Sequence, residues 1–477
     1  MQSSKWQFKV LSFLIPLLTF NFALLSFPPA ASAHAFGKLY NLPVPFWIYL
    51  YGGAAAVIAS FIVIGYFINR TRSNLSFPAK DLSKISMFSF FISRKFLNVL
   101  KIISAFLFFL TIITGLIGED NPYSNFNMTF FWIIFVLGLT YLTSIIGNIY
   151  SIINPWKVLV EWFESLSGEK IQGFVKYPKK LAYWPSLTFY FLFIWIELLA
   201  QTTPSALSFL LIQYTLISIA GIAIIGKNNW FMYGDFFSIF FRLISKISPI
   251  ERREDKLYLR PPFVGLLKEK AEHFSLLLFI LFMLSSTAFD GFRETVPWYR
   301  LYWQNLSDIV PHQLFQTIGL ALSPFVFLVI YLVFIALAKF LAKSTLSVRE
   351  LSLRFAYSLV PIAFVYNAAH YYTLLLTQGQ EIIRLASDPF GFGWNSFGTS
   401  DYTANLSIID ANITWHTQVA LILIGHIAGV YLAHIIALNI FPSHKKALTS
   451  QLPMLTLMVT YTMIGLWILS QPITSGL

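Results

Sequence analysis

Long apolar runs, separated by short polar segments, make up most of the chain after residue 45. An α-helix rises about 1.5 Å per residue, so roughly 20 apolar residues cross a hydrocarbon layer about 30 Å thick. The predicted fold class is therefore an all-α integral membrane protein. The pattern predicts about ten transmembrane helices, near residues 46–68, 100–118, 129–153, 183–200, 206–226, 273–289, 314–341, 353–377, 414–439 and 453–471.

The first 33 residues show a different pattern. Lys5 and Lys9 precede an apolar stretch that ends in the small residues Ala31-Ser32-Ala33. This order is typical of a secretory signal peptide, so we predict that residues 1–33 are cleaved and that 34–477 form one polytopic helical domain. An uncleaved anchor helix is the alternative, and the two prolines that follow the apolar stretch disfavour it.

Composition and charge agree with a membrane location. Only 11% of the residues are charged and 57% are hydrophobic, whereas a soluble domain carries about 25% charged residues.

The net charge of +12 arises mainly in alternate loops, as the positive-inside rule requires of cytoplasmic segments. The chain is thus predicted to be a multi-pass protein of the cytoplasmic membrane, with both mature termini on the outer side. Topology and contact with the headgroups of the lipid bilayer explain its basic residues, and no nucleic-acid partner is needed. The basic segments are 69–99, 154–182 and 227–272, followed by Lys343, Arg349, Lys445 and Lys446.

The segment 227–272 is the longest of the predicted cytoplasmic loops. Within it, the stretch DFFSIFFRLISKI places Asp235, Arg242 and Lys246 on one helical face and aromatic and aliphatic residues on the opposite face. This amphipathic pattern predicts a helix that lies in the membrane interface. A short soluble subdomain is the alternative.

Several kinds of chemistry are excluded by the residues that the chain lacks. It contains no cysteine, so disulfides, thiolate nucleophiles and cysteine-ligated metal centres are ruled out. It also has no Walker phosphate-binding loop, no Gly-x-Ser-x-Gly nucleophile elbow and no His-Glu-x-x-His motif. Histidine, methionine and carboxylate oxygens remain as ligands for a metal ion, for which copper and zinc are the candidates.

Histidines and acids near the predicted outer ends of the helices are the best candidates for function, because polar groups in a bilayer usually face a cavity or a pore. Asp290 and His370 are the predicted catalytic residues, and Asn367, one turn before His370, could orient its ring. Each also has a structural explanation: Asp290 could pair with Arg293, and His370 could belong to an aromatic belt. The predicted metal ligands are His34, His370, His416, His426 and Asp290.

His34 depends on where the signal peptide is cut. Cleavage after Ala33 would leave a free amino group and an imidazole on one residue, a pair of nitrogens that suits Cu(II). Cleavage after Ala35, which also follows a small-x-small pattern, would remove His34 from the mature chain. The sequence leaves both sites open.

A series of short motifs runs from His34 nearly to the C-terminus. In order, they are AHAFG, LPVPFW, RPP (260–262), STAFDG (286–291), RFAYSLVPIAFVYNAAHYY (354–372), QGQ (378–380), SDPFGFGW (387–394) and GHIAGVYLAHIIAL (425–438). Together they resemble a family of polytopic bacterial membrane proteins named fenitrothion hydrolases. Here alanine follows His34 where members of the family often have glycine. The resemblance implies a membrane protein related to enzymes that hydrolyse an organophosphate.

Three functions are compatible with these residues. The first is a metal-dependent hydrolase with an outward-facing His/Asp site that activates water to attack an ester or phosphotriester. The second is a protein that handles copper or transports a small molecule, with His370, His426 and His434 along its path. The third is an assembly factor for a partner membrane complex, in which the buried polar residues serve helix packing.

Overall fold

The computed structural model describes residues 45–68, 77–200, 202–441 and 443–471. The predicted signal peptide and His34 lie outside these residues. The helices are α1 Phe46–Phe67, α2 Ser86–Ile92, α3 Arg94–Ile117, α4 Phe126–Ile146, α5 Tyr150–Ile153, α6 Pro155–Ser167, α7 Trp184–Leu199, α8 Pro204–Ile225, α9 Lys227–Asn229, α10 Phe236–Ser245, α11 Phe274–Arg293, α12 Val296–Asn305, α13 His312–Ala342, α14 Val348–Leu376, α15 Glu381–Ser387, α16 Ala411–Ile440 and α17 His444–Ser470.

The all-α membrane fold predicted from the apolar runs is confirmed. Within the described ranges, nine helices are long and apolar enough to cross a membrane: α1, α3, α4, α8, α11, α13, α14, α16 and α17. The tenth predicted span, α7, has 16 residues, which corresponds to about 24 Å at 1.5 Å per residue. It is therefore shorter than the hydrocarbon layer that the other helices can cross.

Local sequence signals set where several helices begin. Ser93 accepts a hydrogen bond from Phe96 N at the start of α3, and Thr203 does the same for Ala206 N ahead of Pro204, the first residue of α8. Asp410 caps α16 in the same way. Hydroxyl and carboxylate side chains at this position satisfy backbone N–H groups that the helix leaves unpaired. These caps mark helix starts that hydropathy places only within a few residues.

The helix α4 departs from the predicted span 129–153 in two ways. Residues Thr129–Gly138 are wound as a π-helix, and the helix ends at Ile146. Gly147 follows with a φ of +88°, a conformation that glycine adopts far more readily than other residues. A side chain there would also collide with the Ile250 carbonyl oxygen, 2.6 Å from an ideal Cβ. The turn at Gly147 therefore ends α4 early, and a short helix, α5, follows.

The helix α11 lies at the centre of the bundle. Every residue from Ser275 to Gly291 is buried, and α11 packs against α7, α13, α14 and α17. The helix α16 packs against both α14 and α17, and α1 packs against α16 and α17. On the other side of the bundle, α3 packs against α8, and the π-helical part of α4 contacts α14. Polar residues of α11 are thus held inside protein rather than facing lipid.

The predicted amphipathic helix in 227–272 is present as α10. Its apolar side chains, which include Phe237, Ile239 and Phe241, are buried in the protein's own hydrophobic core. The helix packs against α4 and α7, so protein covers this face rather than lipid. Asp235 precedes the helix and accepts hydrogen bonds from Asn154 and the Tyr214 hydroxyl.

A small antiparallel sheet, which the hydropathy pattern did not predict, joins two of the predicted cytoplasmic loops. Its strands are β1 Lys80–Asp81, β2 Ile250–Arg253 and β3 Lys256–Leu259, in the order β1-β3-β2. Lys80 pairs with Leu259 in one ladder, and Ile250 pairs with Leu259 in the other. Parts of the loops 69–99 and 227–272 therefore meet at one end of the bundle.

Candidate functional site

The candidate site forms where the C-terminal part of α11 packs against α14. Asp290 and Arg293 are one turn apart on α11, and His370 and Tyr371 are adjacent on α14. Residues three apart on a helix share a face, so Asp290 and Arg293 can reach the same partner. The packing of the two helices brings together side chains that are about 80 residues apart in sequence.

Three side chains donate hydrogen bonds to the Asp290 carboxylate. Arg293 Nε lies 3.0 Å from Oδ1, His370 Nε2 lies 3.0 Å from Oδ2, and the Tyr371 hydroxyl lies 2.6 Å from Oδ2. Asp290 itself is only 7% exposed. Burying a carboxylate is costly unless it is paired and hydrogen-bonded, and these three donors meet that requirement. The ion pair with Arg293, which the sequence offered as an alternative to metal binding, is present.

The hydrogen bonds determine which atom of His370 remains reactive. An ionised carboxylate only accepts hydrogen bonds, so His370 Nε2 carries a proton. In the neutral imidazole the lone pair then lies on Nδ1. An ideal Cβ placed on Gly291 would lie 3.9 Å from Nδ1 and 3.7 Å from Cε1, which shows that this edge of the ring runs beside the α11 backbone. The His370 side chain is 18% exposed, so it is not fully enclosed by protein.

The end of α7 adds further polar groups to the site. Arg293 Nη1 donates to the Leu198 carbonyl oxygen over 3.0 Å, which ties α11 to α7. Glu197, one residue earlier, interacts electrostatically with both Asp290 and Arg293. Arg293 also lies 3.6 Å from Glu294. Its guanidinium group therefore forms ion pairs with two carboxylates, those of Asp290 and Glu294.

The other predicted ligands lie apart from this cluster. His416 is exposed at the start of α16, where Nδ1 bonds to the Asn412 carbonyl oxygen and Nε2 lies 3.2 Å from the Tyr49 hydroxyl. His426 is fully buried farther along α16, and its Nδ1 bonds to the Ile422 carbonyl oxygen. Among the described residues, no group of three or more histidines, aspartates and glutamates is placed to hold a metal ion.

His434 and His444 hold the end of α1. His434 Nδ1 lies 3.1 Å from Gln451 Oε1, and its Nε2 lies 2.7 Å from the Ile68 carbonyl oxygen. His444 Nε2 lies 3.1 Å from the Gly65 carbonyl oxygen. The last carbonyls of a helix have no partner within the helix, so these two histidines cap α1. With both ring nitrogens engaged, His434 has none left for a passing metal ion.

Neither Asp388, the acid of the SDPFGFGW motif, nor Asn367 forms a hydrogen bond with His370. Asp388 accepts hydrogen bonds from Phe392 N and Gly393 N, so it stabilises the turn of the SDPFGFGW segment. Asn367 Oδ1 is buried without a hydrogen-bond partner among the described residues, so it does not orient His370. Tyr371 is not among the site residues predicted from the sequence, yet its hydroxyl completes the set of donors to Asp290.

The protein has no match in comparisons with known proteins: no family model matches the chain, and no curated protein or solved structure is similar to it.

Proposed function

We propose that the protein is a membrane hydrolase for ester or phosphotriester substrates, in which His370 is the general base and Asp290 orients it. The observation that carries the proposal is the 3.0 Å contact between His370 Nε2 and Asp290 Oδ2. This contact keeps the proton on Nε2. The lone pair on Nδ1 is then free to accept a proton from the attacking water molecule. The sequence motifs resemble those of fenitrothion hydrolases, and hydrolysis of an organophosphate is a reaction of the same kind.

In this reaction His370 Nδ1 takes a proton from a water molecule while the water oxygen attacks the carbonyl carbon or the phosphorus. The imidazolium that forms is stabilised by the Asp290 carboxylate, and it then gives the proton to the leaving oxygen. Arg293 and Tyr371 keep Asp290 ionised and fixed. Asp290 acts through His370, as a positioning residue.

The metal-dependent form of this proposal uses the same nitrogen. His370 Nδ1 would bind copper or zinc while Asp290 accepts a hydrogen bond from the other ring nitrogen, an arrangement common around metal-bound histidine. Both Asp290 oxygens already accept hydrogen bonds, so Asp290 supports the ligand rather than binding the metal. If the signal peptide is cleaved after Ala33, His34 is the remaining predicted candidate for a further ligand.

The test is hydrolysis of a panel of carboxyl esters and phosphotriesters by the purified full-length protein in detergent. His370→Gln should lower kcat by about 10² to 10⁴, the usual contribution of a general base. Asp290→Asn should also lower kcat, because a neutral amide stabilises the imidazolium less. His312→Gln is the matched control: His312 lies 3.1 Å from Gln316 at the start of α13 and touches none of the four site residues.

Two outcomes would overturn the proposal: no turnover of any substrate by the wild-type protein, or equal turnover by wild type and His370→Gln. A chelator added to the wild-type protein separates the two forms of the reaction. Activity lost with the chelator and restored by zinc or copper supports the metal-dependent form, and activity unchanged by the chelator supports the metal-free form.

Transport of a metal ion or small molecule is the second candidate, and His426 is the observation that favours it. The residue is 0% exposed within the bundle, and its Nε2 has no hydrogen-bond partner among the described residues. Ionisable groups buried at membrane depth often mark a transport path. Flux into proteoliposomes that disappears in His426→Ala would support this candidate, and flux that is absent or unchanged would contradict it.

A further inference from the structure

A basic pocket lies at the end of the bundle where the β-sheet meets α4 and α10. Its volume is about 160 Å³, enough for several water molecules at about 30 Å³ each. It is lined by the ends of α4 and α10, by β2 and by the segment that follows β3. Five basic side chains and two acidic side chains contribute to its wall; the basic ones are Arg242, Lys246, Arg252, Arg260 and Lys268.

Positive charge exceeds negative charge inside this pocket. The Glu251 carboxylate is shared by three cations: Lys268 Nζ and Arg253 Nη2 each approach to 2.6 Å, and Arg260 Nη1 to 3.0 Å. Glu269, the second acid, pairs with Lys246 over 2.8 Å. The Arg242 guanidinium donates to a backbone carbonyl, that of Met232. The two carboxylates therefore leave an excess of positive charge, which a bound anion would balance.

The floor of the pocket is rigidly built. The Arg260 side chain is 5% exposed, and it donates from Nε to the Ser248 carbonyl oxygen over 3.1 Å and from Nη2 to the Lys246 carbonyl oxygen over 3.3 Å. Gly265 makes room for this guanidinium, because an ideal Cβ at that position would lie 2.4 Å from Nη2. A positive charge held in one place by backbone carbonyls does not have to be reordered when an anion binds.

The pocket lies at the end of a helix that is long and apolar enough to cross a membrane. Its lining includes Gly147 and Asn148, which directly follow the membrane-spanning helix α4, and the basic loops predict that this side is cytoplasmic. Anionic lipids are concentrated in the cytoplasmic leaflet and attract basic segments close to its surface. The nearest source of a phosphate group is therefore the membrane itself.

We propose that this pocket binds a phosphate group, and that the group belongs to an anionic phospholipid of the adjacent leaflet. Lys268 is a side chain that can turn toward the ligand at little cost to the fold, because Glu251 retains Arg253 and Arg260 as partners when Lys268 is removed. Glu269 opposes binding, since it neutralises Lys246. This inference is independent of the proposed hydrolase activity.

The test measures thermal stabilisation of the full-length protein in detergent by short-chain phosphatidylglycerol, short-chain phosphatidylcholine or inorganic phosphate. Phosphatidylglycerol should stabilise the wild-type protein, whereas phosphatidylcholine should not. Lys268→Gln should weaken the apparent affinity about fivefold, the usual effect of one basic residue at a membrane surface. Glu269→Gln should strengthen the affinity by a similar factor. Lys170→Gln and Glu169→Gln, which make the same charge changes in another predicted cytoplasmic loop, should leave the affinity unchanged.

Three results would overturn the proposal, and the first two need only the wild-type protein. Equal stabilisation by phosphatidylcholine would show that the protein does not distinguish an anionic phospholipid from a zwitterionic one. Equal stabilisation by inorganic phosphate at the same concentration would assign the pocket to a free anion instead of a lipid. An equal loss of affinity in Lys170→Gln would show that diffuse surface charge, not the pocket, attracts the lipid.

Discussion

Asp290 illustrates what one carboxylate requires inside a helical membrane bundle. Its charge is paired with Arg293, and its two oxygens accept hydrogen bonds from Arg293, His370 and Tyr371. Removing one partner of a buried ion pair typically costs about 3 to 5 kcal/mol. The contacts that make Asp290 stable are the same contacts that orient His370, so structure and chemistry cannot be separated fully by changing Asp290 itself.

Tyr371→Phe is a milder probe of this site. The change removes the 2.6 Å hydrogen bond to Asp290 Oδ2 and keeps the ring. We expect kcat to fall about fivefold to tenfold, equivalent to the roughly 1 kcal/mol of one hydrogen bond, with little change in KM. The measurement is steady-state hydrolysis of the best substrate of the panel.

The neighbouring residue provides the control for Tyr371→Phe. The Tyr372 hydroxyl donates to the Thr414 carbonyl oxygen over 3.1 Å and makes no contact with Asp290. Tyr372→Phe should therefore leave kcat unchanged. A similar fall in both variants would mean that the loss reflects general loosening of α14 and not the hydrogen bond to Asp290.

The close packing of α3, α4 and α8 depends on the absence of a side chain at Gly115. An ideal Cβ there would lie 2.0 Å from Asn127 Nδ2 and 2.4 Å from the Pro204 carbonyl oxygen. Asn127 Nδ2 donates to that same carbonyl over 2.8 Å, so the three helices meet around one buried hydrogen bond. Small residues at such crossings let helix backbones approach closely in membranes.

Gly115→Ala should therefore lower stability by about 1 to 3 kcal/mol, the usual cost of overpacking a filled site. Gly52→Ala is the matched control, because an ideal Cβ at Gly52 meets no atom within 4 Å. The thermal unfolding midpoint in detergent should fall for Gly115→Ala and stay the same or rise for Gly52→Ala. Equal midpoints for the two variants would contradict the packing argument.

Glu251 connects the small β-sheet to the loop after β3. Burial alone would raise the pKa of Glu251, but hydrogen bonds from Lys268 and Arg253 and the charge of Arg260 outweigh it and hold the pKa below the usual glutamate value. A carboxyl group with a lowered pKa stabilises the folded state above its unfolded pKa, and this contribution is lost as the pH falls through the folded pKa.

Glu251→Gln should reduce stability at neutral pH, because it leaves the buried Arg260 without its carboxylate partner. The difference in unfolding midpoint between wild type and variant should be constant above about pH 5. It should narrow as the pH falls below about 4.3, the ordinary glutamate pKa. Midpoints measured between pH 7 and pH 3.5 test this, and a difference that stays the same at every pH would contradict it.

Contacts between distant loops support one consistent arrangement of the chain across the membrane. At one end, Glu119 N donates to the Phe390 carbonyl oxygen over 2.8 Å, and Phe126 N donates to the Pro389 carbonyl oxygen over 3.2 Å. At the other end, the β-sheet joins two basic loops. Loops predicted to share a side thus contact each other, and the charge pattern predicts which of the two sides is cytoplasmic.

The absence of cysteine makes the sidedness directly measurable. Ser400→Cys introduces a thiol in a predicted outer loop, and Lys170→Cys introduces one in a predicted cytoplasmic loop. A membrane-impermeant maleimide should label Ser400→Cys in cells whose cytoplasmic membrane is intact, once the layers outside that membrane have been made permeable. It should label Lys170→Cys only after the cytoplasmic membrane itself has been made permeable. The wild-type chain is the unlabelled control, and the reverse order of labelling would overturn the predicted topology.

Helix positions are largely determined by the sequence, whereas the candidate site is not. The free energy of transferring a segment from water into lipid depends mainly on the residues of that segment. Apolar runs such as 206–226 and 414–439 therefore locate α8 and α16 to within a few residues. The π-helical winding of α4, its early end at Gly147 and the β-sheet depend on neighbours from elsewhere in the chain. Hydropathy contains no information about these neighbours.

The site shows the same division. Residue type and depth alone singled out Asp290 and His370, because a charged group in an apolar segment needs a partner. The tertiary structure joined these two with Tyr371, and it placed His416 and His426 elsewhere on α16. A hydrogen bond acts only over about 3 Å, so helix packing decides which of several candidate side chains can act together.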